Sequence, residues 1–204
     1  MFNAPWPAVV LAGSIVAAYA VQTVIGSDAL LTQYGVSAGA LGRGDGLVLI
    51  TSLYLHASWA HALGNAVFGL AFATPVARRM GGDAKGVVTF AIFYLLCGAF
   101  SGWIWALCQR EPDVVALGAS GGLAGFMGAA SRLMVPAPGL APFFSRTVVS
   151  MAAVWVLINL LFGTLLVGWA PGSGGLPMGW QAHIAGYAAG LLLIGPVLRG
   201  LGRR

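Results

Sequence analysis

The chain has 204 residues, 59% of them hydrophobic and 7% charged, with a net charge of +5. A soluble domain carries about 25% charged side chains, so this composition excludes a chain that covers itself with a water-facing surface. At roughly 20 residues per crossing, about five to seven membrane helices fill the length and leave no room for a separate soluble domain.

Six apolar runs follow in chain order, at roughly 8–26, 47–74, 86–108, 115–134, 147–169 and 180–198. In lipid every backbone polar group needs an internal partner, so each run predicts a helix. The expected fold is an all-α bundle of six spans forming one domain over 1–204. In the first run, Ala18-Tyr19-Ala20 resembles a leader cleavage site, but no Lys or Arg precedes it, which favours a retained span. The fourth run is short and rich in glycine, a weak hydropathy signal with good packing potential. Three connectors, Gly35–Gly46, Pro136–Pro142 and Pro171–Gly179, are dense in Gly and Pro. Cys97 and Cys108 lack metal-ligand spacing and read as small buried side chains.

Charge sets the expected orientation. With six spans, Arg78, Arg79, Lys85, Arg132, Arg146, Arg199, Arg203 and Arg204 share one side. The other side holds Arg43 and Arg110 with Asp28, Asp45, Glu111 and Asp113. The positive-inside rule then places both termini in the cytoplasm. The basic excess is thus topological and gives no reason to invoke nucleic acid. The second, fourth and sixth spans all enter from outside. Ser120 falls seven residues past Asp113, which is roughly 10 Å of depth if that stretch is helical. His61, Asn65 and His183 fall in the same outer half of the bilayer.

Polar side chains at membrane depth are costly and mark functional sites by default. Ser120 lies among Gly118, Gly121, Gly122, Gly125 and Gly128; by itself this favours close helix packing over catalysis. His183 changes the balance. It shares a helical face with Gly186 and Gly190, and a neutral imidazole can take a serine proton and return it to a leaving amine. His61 and Asn65 are one turn apart and can aim an imidazole and an amide at a developing oxyanion; for Asn65 a helix-gluing role is the alternative. His56 is rotated off that face and is assigned to the interface or to support. No carboxylate lies within a span, so a Ser–His dyad is expected instead of a triad. A metal site built on His56, His61 and His183 lacks carboxylate and thiolate ligands, so no metal is expected. Asn159 and Gln22 are intramembrane amides whose default role is structural hydrogen bonding.

These motifs resemble those of the rhomboid intramembrane serine proteases. Gly118-Ala119-Ser120-Gly121 is similar to the family's GxSG nucleophile motif. His56, His61 and Asn65 are similar to its second-span His-x4-His-x3-Asn pattern, and Ala182-His183-Ile184-Ala185-Gly186 to its sixth-span AHxxG motif. Order and spacing agree from about residue 47 onward. The resemblance implies Ser120 as nucleophile, His183 as base, and His61, Asn65 and the Ser120 N–H as oxyanion donors. Gly118, Gly121, Gly186 and Gly190 would support packing. It further implies membrane-protein substrates cut near the extracytoplasmic face of a bilayer, with no metal or cofactor; a bacterial inner membrane suits the compact form. Two positions depart from the pattern: Leu47 and Val48 stand where many members carry Trp-Arg, and Ala124 where many carry a tyrosine against the histidine. The competing function is a rhomboid-like protein that binds membrane helices without cutting them. A histidine-relay translocator ranks third, because the spans offer no acidic partner. The sequence sets no oligomeric state.

Overall fold

The computed structural model describes residues 3–136, 139–170, 173 and 175–203. Arg204 and the side chain of Asp28, both counted above for topology, lie outside this description, as do Pro171, Gly172 and Gly174 of the third Gly/Pro-rich connector. The described chain is helical: α1 (Trp6–Ile25), α2 (Ser27–Tyr34), α3 (Ala38–Gly42), α4 (Val48–Thr51), α5 (Trp59–Met80), α6 (Ala84–Leu107), α7 (Ser120–Leu133), α8 (Arg146–Leu160) and α9 (Trp180–Gly200). Five of these, α1, α5, α6, α8 with its continuation to Leu165, and α9, are long and apolar enough to cross a membrane.

Local chemistry sets the boundaries. The second apolar run, expected as one span over 47–74, is broken. It starts as α4 and a tight turn at Ser52–Tyr54, then runs extended until Ser58 caps α5 by accepting a hydrogen bond from the His61 N–H. Helix α5 then continues past the expected end and stops at Gly81, whose φ of +82° suits glycine. The connector over 35–46 is also more ordered than its composition suggests, holding α3 and closing against the chain ahead of α7. Val36 and Ala116 exchange two backbone hydrogen bonds of 3.0 and 2.8 Å, and the Gly39 N–H donates to the Pro112 carbonyl at 2.8 Å. Leu47 is 73% exposed while Val48 is 1% exposed, and the loop ahead of them is pinned by that backbone pairing.

The fourth run is the centre of the bundle. Eleven of the 14 residues of α7 are buried, between α9, α6 and α5. Its glycines explain how. A methyl group at Gly186 or Gly190 of α9 would collide with the carbonyl oxygens of Gly121 and Gly125, and one at Gly128 would collide with the Tyr187 carbonyl. On the opposite side, Gly121, Gly122 and Gly125 face Ser101, Tyr94 and Cys97 of α6 at equally short range. Further down, Phe126 stacks on Phe90 with ring centres 4.6 Å apart. Cys97 is buried in this packing, but Cys108, expected to be buried too, caps the end of α6 and is exposed.

Near the two ends of the described chain, Asn3 and Arg203 both meet the region joining α5 to α6, beside Arg78, Arg79 and Lys85. Arg203 pairs with Asp83, whose carboxyl it holds below the usual carboxylate range. Lys85 donates to the Gly200 carbonyl at 3.1 Å, Arg79 to the Gly139 carbonyl at 3.1 Å, and Arg78 to the Asn3 carbonyl at 2.5 Å.

The α7–α9 contact gives a sharp expectation. Gly190→Ala should lower stability by about 1–3 kcal/mol through overpacking. Gly13→Ala, in α1 with nothing within 4 Å of the added methyl, should be neutral or slightly stabilising. Thermal unfolding of both variants in detergent checks this, and equal midpoints would refute the packing argument.

Candidate active site

Ser120 is the first residue of α7, not a residue within it. The expected helical descent from Asp113 is replaced by a non-helical segment, Val114–Ala119, so the depth of roughly 10 Å derived from helical rise does not apply. The structural reason is the isolated bridge between Ala116 and Val36 and a further bond from the Gly118 N–H to the Ser52 carbonyl at 2.8 Å, which draw these backbone groups away from helical partners. Gly118 has φ of +118°, a conformation L side chains avoid. The consequence for chemistry is direct. The first turn of a helix leaves its N–H groups without intrahelical acceptors, and they carry partial positive charge. Ser120 stands at that end.

His183 lies in the first turn of α9, and its Nε2 is 2.7 Å from Ser120 Oγ. Both side chains are half-buried. The imidazole is held from α8 as well. Its Nδ1 is 2.8 Å from Asn159 Oδ1, and the Trp155 Nε1–H donates to the His183 carbonyl at 3.3 Å. The Trp155 ring centre is 5.9 Å from the imidazole centre. Ala124, one turn past Ser120, is fully buried in a small cluster with Met127 and Tyr187.

His61 and Asn65 face Gly118 from the first two turns of α5. A methyl group at Gly118 would stand 3.0 Å from His61 Nε2 and 3.8 Å from Asn65 Nδ2, so the bare glycine keeps open the space these two groups border. The Ala57 N–H points to His61 Nδ1 at 3.5 Å. A backbone N–H can only donate, so the neutral ring carries its own proton on Nε2, toward that space. Asn65 uses one amide proton on the His61 carbonyl at 3.1 Å and keeps a second.

His56, assigned from sequence to the interface or to support, is completely buried behind the site. Its Nε2 accepts from the Ala119 N–H at 3.5 Å, and its ring packs edge-on to His61 with centres 5.0 Å apart. Gln22, whose partner the sequence did not reveal, pairs with the His56 peptide from both ends of its amide. The His56 N–H donates to Gln22 Oε1 at 3.0 Å, and Gln22 Nε2 donates to the His56 carbonyl at 2.8 Å.

Asn159 is the residue whose place sequence reasoning missed. The signal was its position near the end of α8, with His183 near the start of α9; adjacent antiparallel helices bring such positions together. Among the described residues no cluster of three or more His, Cys, Asp or Glu side chains has the proximity to hold a metal ion.

The Rhomboid domain family model matches residues 43–200. The chain belongs to the rhomboid family. As a family, rhomboids are intramembrane serine proteases that act on membrane proteins within the bilayer. A comparison with curated proteins finds no match. The matched segment of this rhomboid contains Ser120, His183, His61, Asn65, His56 and Asn159, while Gln22 of α1 lies outside it.

Replacing Gln22 by Leu strips a buried N–H and a buried carbonyl of their partners, at about 1–3 kcal/mol for each group. We expect Gln22→Leu to lower the thermal midpoint while Gln22→Glu, which retains an acceptor for the His56 N–H, loses less. Indistinguishable unfolding of Gln22→Leu and wild type would remove this contact from the account.

Proposed function

We propose that this rhomboid is an active serine endopeptidase that cleaves transmembrane helices of other membrane proteins near their extracytoplasmic face. The observation that carries the proposal is the 2.7 Å contact between Ser120 Oγ and His183 Nε2, with two further donors bordering Gly118.

In the proposed reaction His183 Nε2 takes the hydroxyl proton as Ser120 Oγ attacks the scissile carbonyl carbon. The carbonyl oxygen becomes an oxyanion. His61 Nε2–H, the remaining Asn65 amide proton and the Ser120 N–H donate to it, and the α7 N-terminus adds its partial charge. The C–N bond then breaks, and the imidazolium gives its proton to the departing amine. Water, activated by the same imidazole, hydrolyses the acyl-serine to a carboxylic acid and restores Ser120. Gly118, Gly121, Gly186 and Gly190 serve by allowing the backbones of α7, α9 and α6 to approach. No metal or diffusible cofactor takes part in this scheme.

The proposed topology is one domain of six crossings, with α7 and the segment before it making the fourth in chain order. Both termini lie on the cytoplasmic side of a bacterial inner membrane, in line with the basic residues gathered at that end. Ser120 then opens toward the opposite face. Substrates are single-pass or multi-pass membrane proteins whose helices unwind locally at the cut, because a helical peptide bond is shielded from attack. The Gly/Pro-rich connector Pro171–Gly179 includes residues outside the described part of the chain, and no step of this scheme rests on it.

A fluorophosphonate probe tests the proposal without knowledge of the substrate. Wild-type protein should label, and Ser120→Ala should not. His183→Ala should label at least about 100-fold more slowly, given what a general base contributes. Asn65→Ala should reduce turnover of a cleaved membrane substrate by roughly 100-fold or more, the loss typical of one oxyanion donor. A folded wild type that resists the probe would favour a helix-binding protein without protease activity.

A further inference from the structure

The imidazole of His183 has two nitrogens, and the reaction above uses one. The other faces Asn159, on a helix that is otherwise peripheral: 11% of the most apolar stretch of α8 is buried, against 33–39% for the other four long helices. Asn159 itself is 1% exposed. An apolar, lipid-facing helix thus turns one amide inward, onto the histidine.

The two hydrogen bonds of that amide determine its orientation. Asn159 lies 2.8 Å from the Trp155 carbonyl, one turn back on α8. A carbonyl only accepts, so the NH2 end of the amide must face Trp155. Oδ1 is left for His183, and it too only accepts. Nδ1 of His183 must therefore carry the ring proton, leaving Nε2 as the bare nitrogen against Ser120 Oγ. The opposite tautomer would place Nε2–H on the hydroxyl and a lone pair against Oδ1.

We propose that Asn159 is a positioning residue that locks His183 in the Nδ1–H tautomer, so that the site works as a Ser–His–Asn arrangement. This inference rests on the protease proposal for its kinetic consequence, but not for the tautomer itself. Trp155 assists from the same face of α8 by holding the His183 carbonyl. An amide supplies the orienting half of what a carboxylate does in a triad and adds no negative charge to stabilise the imidazolium. It also avoids placing an ion at membrane depth.

The test uses full-length protein in detergent, the fluorophosphonate probe, and nitrogen NMR of ring-labelled histidine, with His183→Ala assigning the signal. Wild type should show His183 protonated on Nδ1. Asn159→Leu should lose that tautomer and react at least about 10-fold more slowly at saturating probe, within the roughly 100- to 10,000-fold ceiling set by general-base catalysis. Its half-saturating probe concentration should stay within about twofold of wild type, since Asn159 does not touch the probe. Asn159→Asp, which keeps an acceptor for Nδ1–H, should keep the tautomer and react faster than Asn159→Leu. Wild-type His183 protonated on Nε2 would overturn the inference, as would wild-type reactivity in Asn159→Leu, or an Asp variant no faster than the Leu variant. Should Asn159→Leu fail to fold, the wild-type tautomer and the Asp variant decide. Should folded wild type not react at all, the protease proposal fails while the nitrogen shifts still decide the part of Asn159.

Discussion

Backbone contact between α7 and α9 sets the distance on which the site depends. Lipid tails are as apolar as leucine, so membrane helices gain little from simply hiding hydrophobic surface from one another. Association rests on close van der Waals packing. Gly186 and Gly190 over the carbonyls of Gly121 and Gly125 bring two backbones together with no side chain between them. Ser120 sits one residue before this contact on α7, and His183 one turn before it on α9. The same interface that stabilises the bundle therefore brings the hydroxyl and imidazole together, and packing and chemistry are not separable there.

A second constraint is the absence of charge. Around Ser120 and His183 the polar groups are imidazoles, amides, a hydroxyl and backbone N–H groups. Several are held by directional partners: Asn159 by Trp155 and His183, His61 Nδ1 by Ala57, and His56 Nε2 by Ala119, while the buried His56 Nδ1 has none. In a low-dielectric interior neutral groups cost far less to bury than ions, and directional hydrogen bonds can still fix their tautomers. Geometry replaces net charge as the means of control. The helix N-terminus adds positive potential without a titratable group.

Much of this was legible in the chain before its fold was known. The spacing of His61 to Asn65, and of His183 to Gly186 and Gly190, follows helical periodicity, so their shared faces could be read directly. The break inside the second run and the non-helical approach to Ser120 could not. Both depend on partners distant in sequence, Gln22 for the 55–58 segment and Val36 for Ala116, and hydropathy is blind to such pairing. Asn159 was visible as an odd amide, but its role needed the register of α8 against α9. Cys108 was misplaced because an apolar run does not announce where its helix ends. Helix α7 has only 14 residues because the stretch ahead of Ser120 is non-helical, and its glycines and alanines suit a helix wrapped in protein more than one facing lipid.

The pairing of Gln22 with the His56 peptide ties the site to a helix that the family match does not reach. Helix α1 supplies a buried amide whose two ends match the two polar groups of one peptide. That match holds the 55–58 stretch extended just ahead of the turn where Ser58 starts α5. A displacement of α1 would thus be passed to the start of the helix that carries His61 and Asn65.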